Sequence, residues 1–327
     1  MWGQIKRRIG VRQYSYAPAL VLFLIFIGLN SVISSNFLTV TTLAGIAETY
    51  APLVVLAVAE TFVLIGGGID ISLGATVSLV NVLLVVFWGY HWPMIVASVA
   101  AIGVGVLVGV INATLVALLN VTPLLATFAT STMAFGAALW VLPTPGGSIS
   151  TGFADWYAAN IWVFPTPLVF MIGAYLCWWL WKRSVWGVYL YALGRSEEKS
   201  LASGAPNRSV KMASYVIAAL LAGFAALAVT GNTVSGDATI GSADTLSAIA
   251  APVIGGVSLM GGSGDAGGAI FGALFLALIV NTVFASQVGT FYQNLLSGII
   301  ILLGIVITVV VKRITTNFHN RKVVEGP

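Results

Sequence analysis

The stretch ISLGATVSLVNVLLVVFWGYHWPMIVASVAAIGVGVLVGVINATLVALLN (71–120) decides the fold, because it contains no charged residue, and the next one is Asp155. A bilayer core about 30 Å thick needs about 20 apolar residues per helix. A membrane β-strand would instead alternate apolar and polar residues over segments of about ten residues. Because the apolar runs here are continuous, they predict an all-α integral membrane protein.

The composition of the whole chain agrees with a lipid environment. Of 327 residues, 59% are hydrophobic and 7% are charged, whereas soluble domains carry about 25% charged residues. Cys177, His91 and His319 are the only cysteine and histidines, and they form no disulfide, metal, haem or catalytic pattern. The chain is therefore predicted to be neither an enzyme nor a cofactor protein.

The basic residues predict the topology. All 14 Lys and Arg residues fall into three clusters, at the two ends and in the middle of the chain. Basic residues stay on the cytoplasmic side during insertion, which argues against nucleic acid as the reason for the net charge of +4. Both termini and the central loop at about 182–211 are thus predicted to be cytoplasmic in a bacterial inner membrane. The clusters are Lys6, Arg7, Arg8 and Arg12; Lys182, Arg183, Arg195, Lys199, Arg208 and Lys211; and Lys312, Arg313, Arg321 and Lys322.

An even number of helices must separate each pair of clusters, and the hydropathy pattern meets this requirement. We predict about ten transmembrane helices within a single permease domain, residues 1–327. The segment at 245–260 is short and contains Pro252, so it is predicted to be broken or re-entrant. The ten predicted segments are 17–33, 50–66, 70–88, 93–119, 122–142, 162–181, 212–231, 245–260, 266–286 and 292–311.

Polar residues within these spans are candidates for a substrate pathway. Glu60 lies inside a predicted span, and intramembrane acids are functional candidates by default. Asp70 is the last residue of the glycine-rich break GGGID (66–70), where it could cap the next helix or contact substrate. Hydrogen-bonding and stacking groups suit a neutral, hydroxyl-rich solute, although each could equally serve packing between helices. The predicted pathway residues are Glu60, Asp70, Asn81, Asn112, Phe128 and Asn281.

The central loop is the only long charged segment between the termini. In YALGRSEEKSLASGAPNRSVKMASYV (191–216), Ser196 is a candidate N-cap for a short helix that ends before Gly204. The loop is either merely solvated or a rigid docking surface for a soluble partner.

Three motifs in this order resemble one family, the permease subunits of bacterial ABC importers for ribose and other monosaccharides. They are GGIDISLGA (67–75), ALGRSEEKSLASGAPNRSVK (192–211) and TLSAIAAPVIGGVSLMGGSGDAGGAIFGALFLALIVN (245–281). The resemblance covers nearly the whole chain. It departs at Arg195, Ser196 and Pro252, which leaves open whether the subunit pairs with itself or with a second permease.

This resemblance implies two ATP-binding cassette subunits, a second permease copy and an extracytoplasmic solute-binding protein as partners. It also implies that the central loop contacts the ATPase, with Arg195, Glu197, Glu198, Lys199 and Gly204 in the coupling segment. The sequence contains no GxxxxGK[ST] phosphate loop, so energy would come from a partner chain. The alternatives are an ion-gradient-driven transporter using Glu60 and Asp70, or an ABC importer for a nucleoside or furanosyl signal molecule.

Overall fold

The structure is a computed structural model, and it describes residues 16–161 and 164–285 together with the single residues 292, 295, 298, 299, 302 and 306. The first and third basic clusters lie outside the described residues. So does most of the predicted last helix at 292–311.

The first half of the described chain consists of long apolar helices joined by short turns. Helix α4 continues directly into a π-helix, Thr114–Leu118. The helices are α1 Ala17–Ile33, α2 Val40–Ile65, α3 Ser72–Gly89, α4 Met94–Ala113 and α5 Pro123–Val141.

The second half mixes long helices with short ones. A two-stranded antiparallel hairpin, β1 Asn160–Ile161 and β2 Phe164–Pro165, follows the short helix α6 Thr151–Ala158. The remaining helices are α7 Thr166–Arg183, α8 Val185–Arg195, α9 Glu197–Ala202, α10 Asn207–Thr233, α11 Ser242–Ile254 and α12 Ala266–Ala285.

Six helices of the described chain are long and apolar enough to cross a membrane: α2, α3, α4 with its π-helical end, α5, α10 and α12. Helices α1 and α11 are apolar but shorter, and α7 ends in Lys182 and Arg183. The all-α membrane fold is therefore confirmed, and the count of ten remains a prediction.

The structure differs from the predicted boundaries in three stretches. Helix α2 begins at Val40 rather than at 50, because the Thr39 side chain caps it by accepting from the Thr42 amide at 3.3 Å. The predicted loop at 182–211 contains the helix α8 and the start of α10. The polar stretch at 143–160 contains α6. In each case apolar or capping residues extend a helix into a stretch that its polar composition marked as a loop.

Helix α10 packs against both α2 and α4 at the centre of the bundle. All of α2 from Ala51 to Ile65 is buried. Gly109 allows the close approach of α4 and α10, since a Cβ there would lie 2.4 Å from the Ala219 Cβ. Small residues at helix contacts are the usual device where lipid offers no hydrophobic driving force.

The described basic residues define the sidedness. All of them lie on the end of α7, on α8 and α9, or on the first turns of α10, which share one end of the bundle. By the preference of basic residues for the cytoplasmic side, we predict that this is the cytoplasmic end, and we name it so below. The turns after α1, α3, α5 and α10 lie at the opposite, outer end.

Candidate functional site

The cytoplasmic end presents the short helix α9 as a rigid projection. The Ser196 side chain caps it by accepting from the Lys199 amide at 3.3 Å, as the sequence predicted. Asn207 also fixes α9, because its Nδ2 donates to the Glu197 carbonyl at 2.9 Å and its Oδ1 accepts from the Ser200 hydroxyl at 2.7 Å. Gly204 then reverses the chain with φ of +80°, a conformation that favours glycine.

The five predicted coupling residues, Arg195, Glu197, Glu198, Lys199 and Gly204, are all exposed. Glu197 is paired with Lys211 at 2.7 Å, which ties α9 to α10. Two apolar side chains also lie exposed at this end, Leu201 at 65% and Met260 at 86%. Sequence analysis missed both, since single apolar residues carry no signal in so apolar a chain.

Three backbones meet beneath α9 at Gly194. A Cβ at Gly194 would lie 1.9 Å from the Ile65 carbonyl oxygen and 2.4 Å from the Gly262 amide nitrogen. The Gly262 amide donates to the Ile65 carbonyl at 2.9 Å. The end of α2, the end of α8 and the turn between α11 and α12 therefore form one junction that only glycine permits.

Side chains fasten the same turn to α7 and α8. Lys182 pairs with Asp265, the Tyr191 hydroxyl donates to the Gly264 carbonyl at 2.6 Å, and Arg195 Nε donates to the Gly262 carbonyl at 3.2 Å. Burial, with the Asp265 charge second, raises the pKa of Tyr191, so the hydroxyl keeps the proton that it donates. These side-chain contacts thus join the coupling segment to the turn that follows α11.

A buried acidic network lies between this junction and the bundle core. Glu60 is fully buried and Asp70 is 2% exposed. Glu60 Oε1 accepts from the Asp70 amide at 3.1 Å, while Asp70 Oδ1 accepts from the Ser72 amide at 2.8 Å and from the Ser72 hydroxyl at 2.6 Å. The break at 66–71 is therefore held by two carboxylates, one from each adjoining helix region, and Asp70 takes the capping role that one interpretation of the sequence gave it.

The network extends to α4 and α5. Asn112 Nδ2 donates to the Ser72 hydroxyl at 2.8 Å, and Thr130 donates to Asn112 Oδ1 at 2.6 Å. Glu60 Oε2, Asp70 Oδ2 and the Tyr215 hydroxyl have no hydrogen-bond partner within the described part of the chain. Of the predicted pathway residues, the structure brings Glu60, Asp70 and Asn112 together.

Asn81 lies at a different place, nearer the outer end of α3. Its Nδ2 donates to the Thr230 hydroxyl at 2.8 Å and to the Ser235 carbonyl at 3.1 Å, and its Oδ1 accepts from the Asp237 amide at 2.9 Å. The Ser78 hydroxyl accepts from the Gly241 amide at 2.9 Å. Asn81 and Ser78 of α3 therefore provide hydrogen-bond partners for the non-helical backbone at 234–241. This stretch runs along α3 before α11 begins.

The other two predicted pathway residues lie apart from both places. Phe128 is 61% exposed on α5, and Asn281 is partly buried on α12. The described residues contain no group of three His, Cys, Asp or Glu side chains placed to hold a metal ion.

Two cavities lie near these sites. A crevice of about 840 Å³ between α4, α6 and α10 has almost entirely apolar walls, among them Trp88, Phe153 and Phe224. A more polar cavity of about 450 Å³ lies under α9, between Gly68, Glu197 and Tyr215. The second cavity connects the coupling face with the surroundings of the acidic network.

Comparison with known proteins identifies relatives over most of the chain. The family described as branched-chain amino acid transport system / permease component matches residues 42–307. The ribose import permease protein of Escherichia coli (strain K12) is 30% identical over 88% of this chain and 92% of the relative. The fructose import permease protein of Rhizobium meliloti is 28% identical over 89% and 84%. The autoinducer 2 import system permease protein of Yersinia enterocolitica is 29% identical over 90% and 92%. No solved structure matches the chain.

Proposed function

Because this chain belongs to the branched-chain amino acid transport system / permease component family, we propose that it is the single transmembrane permease domain through which an ATP-driven importer passes a small hydroxylated solute. It is a multi-pass inner-membrane protein and a transport component rather than an enzyme. The relatives import ribose, fructose and autoinducer 2 according to their names, which favours a monosaccharide.

The observation that carries the proposal is the cytoplasmic face. Helix α9 projects from it as a capped and cross-linked unit, and an unconnected solvated loop would need neither the Asn207 bonds nor the Glu197–Lys211 pair. The same face shows acidic and basic side chains around the exposed apolar Leu201 and Met260. An apolar anchor with a charged rim is typical of a protein interface.

We assign this face to the ATP-binding subunit. Movement of α9 would reach the membrane through the junction at Gly194, because α2, α8 and the turn before α12 share it. Rigid elements with shared contacts are the physical means by which two sites are coupled. In this proposal Arg195, Glu197, Glu198, Lys199 and Gly204 contact or position the ATPase.

We propose that the buried acids hold the surrounding helices in position. Glu60, Asp70 and Asn112 are buried, and hydrogen bonds through the Asp70 amide and the Ser72 hydroxyl link them. This supports a structural network that holds α2, α3, α4 and α5 in register, and it weakens the ion-gradient alternative, which needs a carboxylate that ions can reach. Phe128 and Asn281 remain pathway candidates, whereas Asn81 supports the backbone at 234–241 in this proposal.

The remaining partners follow from the family. Importer permeases work with ATP-binding subunits and an extracytoplasmic solute-binding protein, and we propose that two permease copies, identical or related, form the membrane part. The exposed apolar face of α5, with Phe128 and Met133 at 61% and 66% exposure, needs lipid or such a copy to cover it.

A second candidate solute is a signal molecule, favoured by the match to the autoinducer 2 permease. Uptake of labelled ribose, fructose and autoinducer 2 by cells with and without the gene separates the candidates. We expect one activity to disappear on deletion, to return with the gene, and to stop when ATP is depleted while the proton gradient is maintained. Uptake that follows the gradient rather than ATP would contradict the proposal.

A further inference from the structure

Helix α7 carries an exposed apolar face that leads to a basic residue. It packs beside α2, which is long and apolar enough to cross the membrane. The exposed side chains Ile172, Leu176 and Leu180 recur at intervals of one helical turn, so they lie on one side of α7. Arg183, the last residue of α7, is exposed on the same side, because it follows Leu180 by three positions. The face therefore runs from apolar side chains to one cation at the cytoplasmic end.

The apolar part of this face has the length of one lipid leaflet. Ile172 lies about 16 Å from Arg183 along the helix axis, given a rise of about 1.5 Å per residue. Half of a hydrocarbon core about 30 Å thick measures about 15 Å. An acyl chain that lies along the apolar side chains of α7 therefore has its headgroup at the level of Arg183.

The Arg183 guanidinium is held in place but is not neutralised. Its Cζ lies 3.7 Å from the centre of the Trp179 ring, and this cation–π contact restricts the orientation of the group. Among the residues that the structure describes, no carboxylate pairs with Arg183, whereas its neighbour Lys182 is paired with Asp265. The N–H donors of Arg183 are therefore available to an anion, and their planar fork suits two oxygens of one phosphate.

Helix α8 forms the other side of the corner that begins at Arg183. Its first turn packs tightly against the end of α7, since a Cβ at Gly187 would lie 2.6 Å from the Trp181 carbonyl oxygen. The exposed side chains at the start of α8 are all apolar: Val185, Trp186 and Val188. A helix with an exposed apolar face lies in the membrane interface, where tryptophan is also enriched. The corner is therefore at the level of the lipid headgroups.

We propose that an anionic phospholipid of the cytoplasmic leaflet binds in the corner between α7 and α8. Its phosphate accepts hydrogen bonds from Arg183, its headgroup lies beside Trp186, and one acyl chain lies along the apolar face of α7. The charge favours an anionic lipid over a zwitterionic one, because basic residues at the cytoplasmic surface attract anionic headgroups. Such a site requires only that the chain lies in a membrane, so it is independent of the solute and of the ATP-binding subunit.

The test measures which headgroup the purified protein prefers. The full chain in mild detergent is mixed with equal amounts of phosphatidylglycerol and phosphatidylcholine that carry identical acyl chains, and native mass spectrometry counts the lipids of each kind that stay bound. Arg183→Gln removes the charge, whereas Arg183→Lys retains it. Arg208→Gln is the matched control, because Arg208 is also exposed at the cytoplasmic end and has no ion pair in the described part of the chain.

We expect the natural chain to bind phosphatidylglycerol about fivefold more tightly than phosphatidylcholine, which is the effect of one basic residue near a membrane surface. Arg183→Gln should remove this preference, while Arg183→Lys and Arg208→Gln should keep it. Inorganic phosphate in large excess should not displace the lipid, because it has no acyl chain to lie along α7.

Equal binding of the two lipids by the natural chain would overturn the proposal, as would a preference that survives Arg183→Gln. A preference that Arg208→Gln removes to the same extent would also overturn it, since general surface charge rather than a site would then select the lipid. Displacement by inorganic phosphate would make Arg183 a site for a free anion instead. If Arg183→Gln weakened co-purification of a second protein and left the lipid preference unchanged, the corner would be a protein interface.

Discussion

The coupling segment at 192–211 and the broken span at 234–254, which runs from the end of α10 to the turn beside Gly194, solve opposite problems with the same kind of side chain. In the first, Ser196 and Asn207 stabilise a helix that must project into water. In the second, Ser78 and Asn81 stabilise backbone that must lie without a helix in the membrane. The comparison shows that the polar residues of both segments primarily stabilise breaks between helices rather than bind a ligand.

The two segments are joined at one place, and the largest predicted effect concerns it. Gly194→Val adds side-chain atoms where even a Cβ would lie 1.9 Å from the Ile65 carbonyl oxygen, so α8 must move away from α2 and from the turn after α11. We expect a loss of about 3 kcal/mol of stability and loss of uptake. Thermal denaturation of the detergent-purified protein measures the first effect.

Gly28→Val is the matched control, since nothing lies within 4 Å of a Cβ at Gly28. A Gly194→Val protein as stable and as active as this control would show that the coupling segment and the membrane break are not joined there.

The second prediction tests whether the coupling segment serves a partner. Glu197→Arg with Glu198→Arg reverses two exposed charges and breaks the pair with Lys211. We expect the dissociation constant for the ATP-binding subunit to rise at least tenfold, which corresponds to about 1.4 kcal/mol, while membrane insertion is unchanged. Co-purification at graded salt measures the association.

The same double reversal at the outer end, Glu48→Arg with Asp155→Arg, is its control and should leave the association intact. If transport and ATPase association both survive the reversal at Glu197 and Glu198, the coupling function of α9 is wrong.

The third prediction concerns the broken span at 234–254. Asn81→Leu leaves the Asp237 amide without its acceptor, and it removes one of the partners of the Ser235 carbonyl and of the Thr230 hydroxyl. One unsatisfied buried polar group costs about 1–3 kcal/mol, so we expect a lower unfolding temperature and faster proteolysis at 234–241. Thr132→Val, on the exposed face of α5, should change neither. An Asn81→Leu protein indistinguishable from Thr132→Val would mean that α3 does not hold the segment.

The smallest effect is expected at the buried acid. In Glu60→Gln the side-chain carbonyl can still accept from the Asp70 amide, so the break at 66–71 keeps its geometry. We expect uptake within about twofold of the natural chain, since a neutral hydrogen bond is worth roughly 1 kcal/mol or less. Uptake by both forms should persist when an uncoupler collapses the proton gradient at constant ATP. Collapse of uptake in that assay would favour the ion-gradient transporter.

The sequence predicted the features that depend on local chemistry. Charge-free runs predicted the all-α membrane fold, and the Ser196 cap predicted α9. It also predicted that the segment containing Pro252 would be short, and α11 has 13 residues. Features that depend on distant contacts were missed: the junction at Gly194, the ion pair between Lys182 and Asp265, and the exposed Met260. Their partners lie far away in sequence, and no spacing rule connects them.

The candidate site could likewise be predicted from the sequence only in part. Glu60, Asp70, Asn81 and Asn112 were recognised as unusual in a membrane span, but the sequence treated them as one pathway. The structure divides them between an acidic network and the support of the broken span at 234–254.

The most direct measurement is affinity purification of the tagged chain from native membranes in mild detergent, with mass spectrometry of the proteins that accompany it. We predict a stoichiometric soluble protein with a phosphate loop, which the Glu197→Arg, Glu198→Arg variant releases. A chain that is recovered alone, and that still transports in vesicles without ATP, would contradict the importer.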